Sequence, residues 1–270
     1  MKFTKMHGLG NDYVYINAIE EKYGNWAFLA KKVSQPHFGV GSDGLILILP
    51  SDKADFKMRI FNADGSEGEM CGNGIRCLGK YVYENKLTRK RHLFIETLAG
   101  IKELFLQVED GVVKMVQVNM GTPIVEASVC ITLPDNRDIF GQPVSMGNPH
   151  FVIPVANVFE YPVERMGQLI ERNPFFPNRT NVEFVEIRDR THIKMRVWER
   201  GSGETYACGT GACAAAMSGI DRGFLDNTVD VELLGGCLKI SYDSFYQTVQ
   251  MIGPAETVFT GVFSDSFLKG

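Results

Sequence analysis

Two cysteines sit in matched surroundings 137 positions apart: Cys71 opens Cys71-Gly72-Asn73-Gly74 and Cys208 opens Cys208-Gly209-Thr210-Gly211. Ten residues before each cysteine ends one of two segments that echo each other, Lys57-Met58-Arg59-Ile60-Phe61 and Lys194-Met195-Arg196-Val197-Trp198. The same offset carries Gly10-Asn11 onto Gly147-Asn148 and Glu67 onto Glu204. A chain of two like halves can close around a pseudo-twofold axis, which predicts two thiols on opposite sides of one pocket. That arrangement suits inversion of a carbon centre, where one face loses a proton and the other gains one. Cysteine fits the task because a modest drop in its pKa yields a thiolate near neutral pH.

The elements that must position these thiols can be read coarsely. Each Cys-Gly-x-Gly segment falls where a loop gives way to a helix, from about Asn73 to Glu84 and from Thr210 to about Ile220. Free N–H groups and the partial positive charge of a helix N-terminus favour a thiolate and a bound carboxylate. Glycines at positions 72, 74, 209 and 211 are expected to let an anion approach the backbone. Continuous or alternating apolar runs predict strands at Lys2–Met6, Tyr13–Ile16, Leu45–Leu49 and Phe56–Phe61, then a meander from Phe94 to Asn119 turned at Glu109-Asp110-Gly111. Further helices are predicted at Asn25–Ser34 and near Val163–Arg172. The second half repeats the order: Phe151–Val155, Glu183–Ile187, Lys194–Trp198, and a meander from Val229 to Met251. Met120-Gly121-Thr122-Pro123 resembles Ile252-Gly253-Pro254 as a closing segment. The expected fold class is α+β, with residues 1–117 as one domain, residues 118–257 as its repeat, and residues 258–270 returning to the first.

With 270 residues the chain has room for two cores, and its net charge of −4 is mild. No Lys/Arg run is taken to mark a nucleic-acid or polybasic membrane surface. Met1 to Asn11 lacks a charged-then-apolar signal, so the expected setting is the cytoplasm. A reducing compartment argues against disulfides among the six cysteines, and neither Cys71/Cys77 nor Cys208/Cys213 has zinc spacing. Cys77, Cys130, Cys213 and Cys237 read as small buried apolar residues. Gly39-Val40-Gly41-Ser42-Asp43-Gly44 matches G-x-G-x-x-G, but a strand-like run follows it where a dinucleotide fingerprint needs a helix. It reads as a turn lining a pocket.

Longer signatures then accumulate: His7-Gly8-Leu9-Gly10-Asn11-Asp12, Met70-Cys71-Gly72-Asn73-Gly74-Ile75-Arg76, Gly147-Asn148-Pro149-His150, Trp198-Glu199-Arg200-Gly201 and the run from Gly203 to Ala212. In this order, over nearly the whole length, they resemble the diaminopimelate epimerase family. The resemblance implies two similar domains, each with strands wrapped around a central helix. It implies interconversion of LL- and meso-2,6-diaminopimelate, a step of lysine biosynthesis, without cofactor or metal, by a cytoplasmic homodimer. Cys71 and Cys208 would be the acid/base pair. Gly72, Asn73, Gly209 and Thr210 would hold the reacting carboxylate. Asn11, Asn62, Asn148, Asn181, Glu199 and Arg200 would contact the substrate, with His150 and Glu199 steering the reacting amine. Asparagine supplies donor and acceptor without net charge, and arginine can grip a carboxylate bidentately. Taken singly, Asn11 or Asn62 could be turn residues, His150 a hydrogen-bonded loop histidine, and Glu199-Arg200 a surface pair. Their matched positions favour function, since Asn148 echoes Asn11 and Glu199 echoes Asn62. Gly44, which echoes Asn181, stands where some family members carry glutamine. A proline-racemase-type enzyme would carry histidine where this chain has Asn73. A non-catalytic amino-acid-binding module would not need both thiols, and a cysteine hydrolase using Cys208 and His150 would leave Cys71 unexplained.

Overall fold

Alternation along one buried strand in each half organises the fold. Leu45 and Leu47 pack with Leu29, Ala30 and Val33, while Ile46 between them reaches the glycine-rich helix that follows Cys71. Val182 and Phe184 likewise pack with Met166 and Ile170, while Glu183 between them reaches the helix that follows Cys208. Side chains of successive strand residues point to opposite faces, so each strand is covered on both sides.

The computed structural model describes residues 1–269. The first half holds β1 (Lys2–Gly8), β2 (Asn11–Asn17), α1 (Trp26–Ser34), β3 (Gly44–Leu49), β4 (Phe56–Asn62), β5 (Glu67–Gly68) and α2 (Gly72–Glu84). After it come β6 (His92–Thr97), β7 (Gly100–Glu109), β8 (Val112–Gly121), β9 (Ile124–Val125), β10 (Val129–Thr132), β11 (Asp138–Ser145) and β12 (Pro149–Pro154). Next are α3 (Val163–Glu171), β13 (Asn181–Ile187), β14 (His192–Glu199), β15 (Gly203–Thr205) and α4 (Gly209–Asp221). The chain closes with β16 (Thr228–Leu233), β17 (Gly236–Asp243), β18 (Thr248–Gly253), β19 (Glu256–Val262) and α5 (Asp265–Lys269). Two compact units result: Met1–Val118 with the segment from Gly253 onward, and Asn119–Ile252.

In the first unit β1 pairs with β19 and β2, β2 runs parallel to β3, β3 pairs with β4, β4 runs parallel to β6, and β6, β7 and β8 form a meander. Asp110 and Gly111 both have positive φ (50° and 79°) in the tight turn of that meander, the backbone a two-residue hairpin requires. The strands curl around α2, which is buried from Gly72 through Lys80. The second unit repeats the scheme, with β12 parallel to β13, β14 parallel to β16, and α4 at the centre. Alanines at 212 and 214–216 keep that helix thin enough for strands to approach.

The duplication holds in the register. Tyr13 opposes Gly44 as His150 opposes Asn181, and Leu45 opposes Phe61 as Val182 opposes Trp198. Arg59 grips Glu67 with two hydrogen bonds, of 2.6 and 2.9 Å, and Arg196 grips Glu204 at the same two distances. Each pair pins the short strand that leads to a cysteine. Bidentate geometry makes such a pair more useful than an ordinary surface ion pair of about 0–1 kcal/mol.

The structure departs from the sequence reading in places. The loop after Asn62 contains β5, and β9, β10 and β11 fill residues 124–145, where no elements were predicted. Cys130 and Cys237 are exposed, because they fall on outward positions of β10 and β17. Arg89, Lys90, Arg91 and His92 form an exposed basic run, against the reading that no such run marks the surface, with Lys90 paired to Asp55 at 2.6 Å. Among the described residues no helix is long and apolar enough to cross a membrane.

Candidate active site

Both cysteines are the N-caps of the central helices. Cys71 has extended backbone (φ −133°, ψ 119°), and its Sγ accepts the Gly74 N–H at 3.3 Å. Cys208 (φ −119°, ψ 112°) accepts the Gly211 N–H at the same distance. The cap leaves the N–H groups of Gly72 and Asn73, and of Gly209 and Thr210, at the mouth of each helix, where no intrahelical acceptor exists. Gly74 and Gly211 do other work than sequence reasoning gave them. A Cβ on Gly74 would come within 2.6 Å of Ile46 Cδ1, and one on Gly211 within 2.7 Å of Glu183 Oε1. These glycines seat the helix on its strand and do not open the mouth to an anion.

Around Cys71, the thiol donates to Asn11 Oδ1 at 3.2 Å. Asn11 Nδ2 in turn donates to Asp43 Oδ2 at 2.7 Å, and Asp43 also accepts the Asp12 N–H. Asp43 was missed by sequence reasoning, although it lies in the glycine-rich loop Gly39–Gly44. That loop wraps the end of α1, with Val40 and Gly41 N–H groups donating to Val33 O. Tyr13, the register equivalent of His150, was missed too. Burial pushes its phenol well above the usual range, with Cys71 and Asp43 adding to the rise. Asn73 is buried, and its Oδ1 accepts Arg76 Nη1 at 3.0 Å. Arg76 is itself fully buried and donates also to Gly72 O and Pro254 O. Asn62 is exposed at the end of β4 and donates to Ser66 Oγ. Gly44 is closed off by backbone: a Cβ there would lie 2.1 Å from Phe61 O, so the place is taken by the neighbouring strand rather than left to water.

Cys208 is more enclosed, with 6% of its surface exposed. Thr210 Oγ1 lies 3.5 Å from its sulfur and accepts Asn148 Nδ2 at 3.3 Å. Asn148 Oδ1 is 3.1 Å from His150 Nε2, and His150 Nδ1 is 2.7 Å from Glu183 Oε1. The His150 and Glu183 side chains are both fully buried. Glu199 accepts the Thr205 hydroxyl. Burial raises its carboxyl above the ordinary range, with Glu183 contributing. Asn181 donates to Pro149 O and accepts the Arg200 N–H, so both ends of its amide are engaged by main chain. The Arg200 side chain is exposed and donates to Asn178 O. The expected preference for a thiolate is overturned at Cys208. Burial, then Glu199 and Glu183, push its thiol well above the usual range, against the weaker pull of the Gly211 N–H and Thr210. Glu183 was also missed, because in sequence it reads as one polar residue in an apolar strand.

Solved structures share this architecture. A phenazine biosynthesis protein of the PhzF family from Bacillus anthracis superposes with a TM-score of 0.74 at 19% identity, covering 98% of this chain and 99% of that one. A hydroxyproline epimerase from Agrobacterium vitis superposes at 0.73 and 16% identity, covering 97% and 91%. A duplicated α+β scaffold thus defines the fold class. Within it, the diaminopimelate epimerase family model matches residues 3–125 and 143–258. Curated relatives named diaminopimelate epimerase include one from Methanococcus maripaludis, 52% identical over 97% of this chain and 99% of its own length. Another, from Acetivibrio thermocellus, is 53% identical over 97% and 98%. The chain belongs to the diaminopimelate epimerase family and is an isomerase.

Proposed function

We propose that the protein interconverts LL- and meso-2,6-diaminopimelate, with Cys71 and Cys208 as the acid/base pair. The observation that carries this is the matched capping geometry of the two cysteines, each accepting the N–H three residues on at the same sulfur-to-amide distance. One thiolate removes the α-proton and becomes a thiol. The other thiol gives its proton to the opposite face of the carbanion and becomes the thiolate. The helix-start N–H groups of Gly72, Asn73, Gly209 and Thr210 hold the carboxylate at the reacting centre, where helix N-termini stabilise the charge that develops. Asn11, Asn62, Asn148, Asn181, Glu199 and Arg200 bind the substrate, with the exposed Arg200 reaching the distal carboxylate. His150 supports Asn148. The chemistry is balanced without a cofactor, and we extend the reading to a cytoplasmic homodimer acting in lysine biosynthesis.

The test is incubation with LL-diaminopimelate in D2O, followed by chiral analysis and mass spectrometry. Early product should carry one α-deuterium while unreacted substrate stays mostly unlabelled. Cys71→Ala and Cys208→Ala should each abolish epimerisation, and each should retain α-proton exchange with one stereoisomer only. Rapid labelling of unreacted substrate, or turnover by either variant, removes the paired-cysteine mechanism.

A further inference from the structure

The two halves are matched in backbone and differ in charge. Below Gly74 the strand presents Ile46, while below Gly211 the equivalent residue is Glu183. Glu199 similarly replaces Asn62. Both carboxylates therefore lie on the Cys208 side of the duplication. Glu183 Oε1 and the Cys208 sulfur lie 2.7 and 3.2 Å from one point, the place of a Cβ on Gly211. Carboxylate and sulfur are thus within about 6 Å of each other, close enough for a charge to govern the thiol. Glu183 Oε2 is buried and has no hydrogen-bond partner, so this oxygen is unsatisfied where it stands.

We propose that Glu183 is a positioning residue for Cys208: its carboxylate orients His150, and with it Asn148 and Thr210, and its charge keeps the proton on the Cys208 sulfur until a substrate carbanion takes it. The inference rests on the assignment of Cys208 as a proton-transferring group. Each neighbouring element contributes one side of the environment. From β12 comes His150, hydrogen-bonded to Glu183; from β14 comes Glu199; at the start of α4 stands Cys208, with Cys213 in that helix's second turn. α3 packs on the other face of β13, against Val182 and Phe184. A buried carboxylate under one cysteine alone gives a functional asymmetry to a pair that the backbone leaves equivalent. Cys208 then rests as the proton donor of the pair.

Coulomb repulsion across about 6 Å at an effective dielectric of about 20 corresponds to about two pH units, and the hydrogen bond between His150 and Glu183 offsets part of it. Glu183→Gln keeps the side-chain shape and an oxygen to accept from His150. Iodoacetamide labelling of Cys208, mapped by mass spectrometry across pH, should show its midpoint fall by about one pH unit in this variant, with the Cys71 midpoint unmoved. The alkaline limb of kcat/KM should move down with it. An unchanged Cys208 midpoint overturns the proposal even if thermal stability falls, because a purely structural role would change stability and not titration. If the variant does not fold, the wild type decides: a Cys208 midpoint no higher than that of Cys71 overturns the proposal. Labelling is independent of turnover, so absence of epimerase activity would sink the proposed reaction while leaving the role of Glu183 to be settled by the midpoints.

Discussion

Arg76→Met removes the buried guanidinium that ties the first turn of α2 to the closing segment of its unit. Its acceptors include Asn73 Oδ1 at 3.0 Å, Pro254 O at 3.1 Å and Gly72 O at 3.3 Å. Each buried acceptor left without a donor costs about 1–3 kcal/mol. Against this, methionine fills similar space and avoids the desolvation of a buried charge, which offsets several kcal/mol. The expected net loss is about 2–4 kcal/mol, equivalent to roughly 30- to 1000-fold faster amide exchange in α2. Hydrogen exchange followed by mass spectrometry can read this helix by helix. α4 is an internal control, because Cys213, which has no guanidinium, stands at its equivalent position. A change below about threefold in α2, or an equal change in both helices, would refute the reasoning that the guanidinium holds this turn locally.

Arg200→Lys should lower kcat/KM at least tenfold with the circular dichroism spectrum unchanged, because a planar fork cannot be replaced by a point charge; near-normal kinetics for Arg200→Ala would take Arg200 out of the site. In the free protein iodoacetamide should label exposed Cys130 and Cys237 before Cys208, and peptide mapping that finds Cys208 modified first would contradict its enclosure. Burial pushes the Cys77 thiol up to about 11. A raised folded-state pKa means that its contribution to stability is complete below the unfolded thiol's value near 9 and is lost as pH rises through about 11, by about 2–3 kcal/mol. Urea unfolding at pH 8 and pH 11 should show a loss that is smaller in Cys77→Ala, and equal pH slopes for the two proteins would contradict it.

Strand existence and the central helices were legible because their signals are local. Apolar continuity from Leu45 to Ile48, the Asp110-Gly111 turn and the cysteine-glycine helix starts each depend on neighbours in sequence. The strands between Ile124 and Ser145 were not legible, because their pairing partners lie elsewhere in the chain and β9 and β10 are very short. Arg76 stood within a recognised signature, yet its role depends on Pro254, 178 residues away along the chain.

The sequence by itself determined the duplication, the family and the two cysteines, since a constant offset and ordered motifs survive without coordinates. It also set the helix starts, because capping is a contact between residues three apart. Only the tertiary structure decided which groups surround each thiol. Asn11 and Asp43 approach Cys71 through β2 and the loop before β3, while Glu183, on β13, comes within reach of Cys208 because Gly211 lets the helix lie against that strand. Thiol acidity is set by desolvation and by charges a few ångströms away, and neither quantity is a function of sequence distance. Equal helix starts therefore gave equal expectations for the two cysteines, and burial with two carboxylates broke that equality at Cys208.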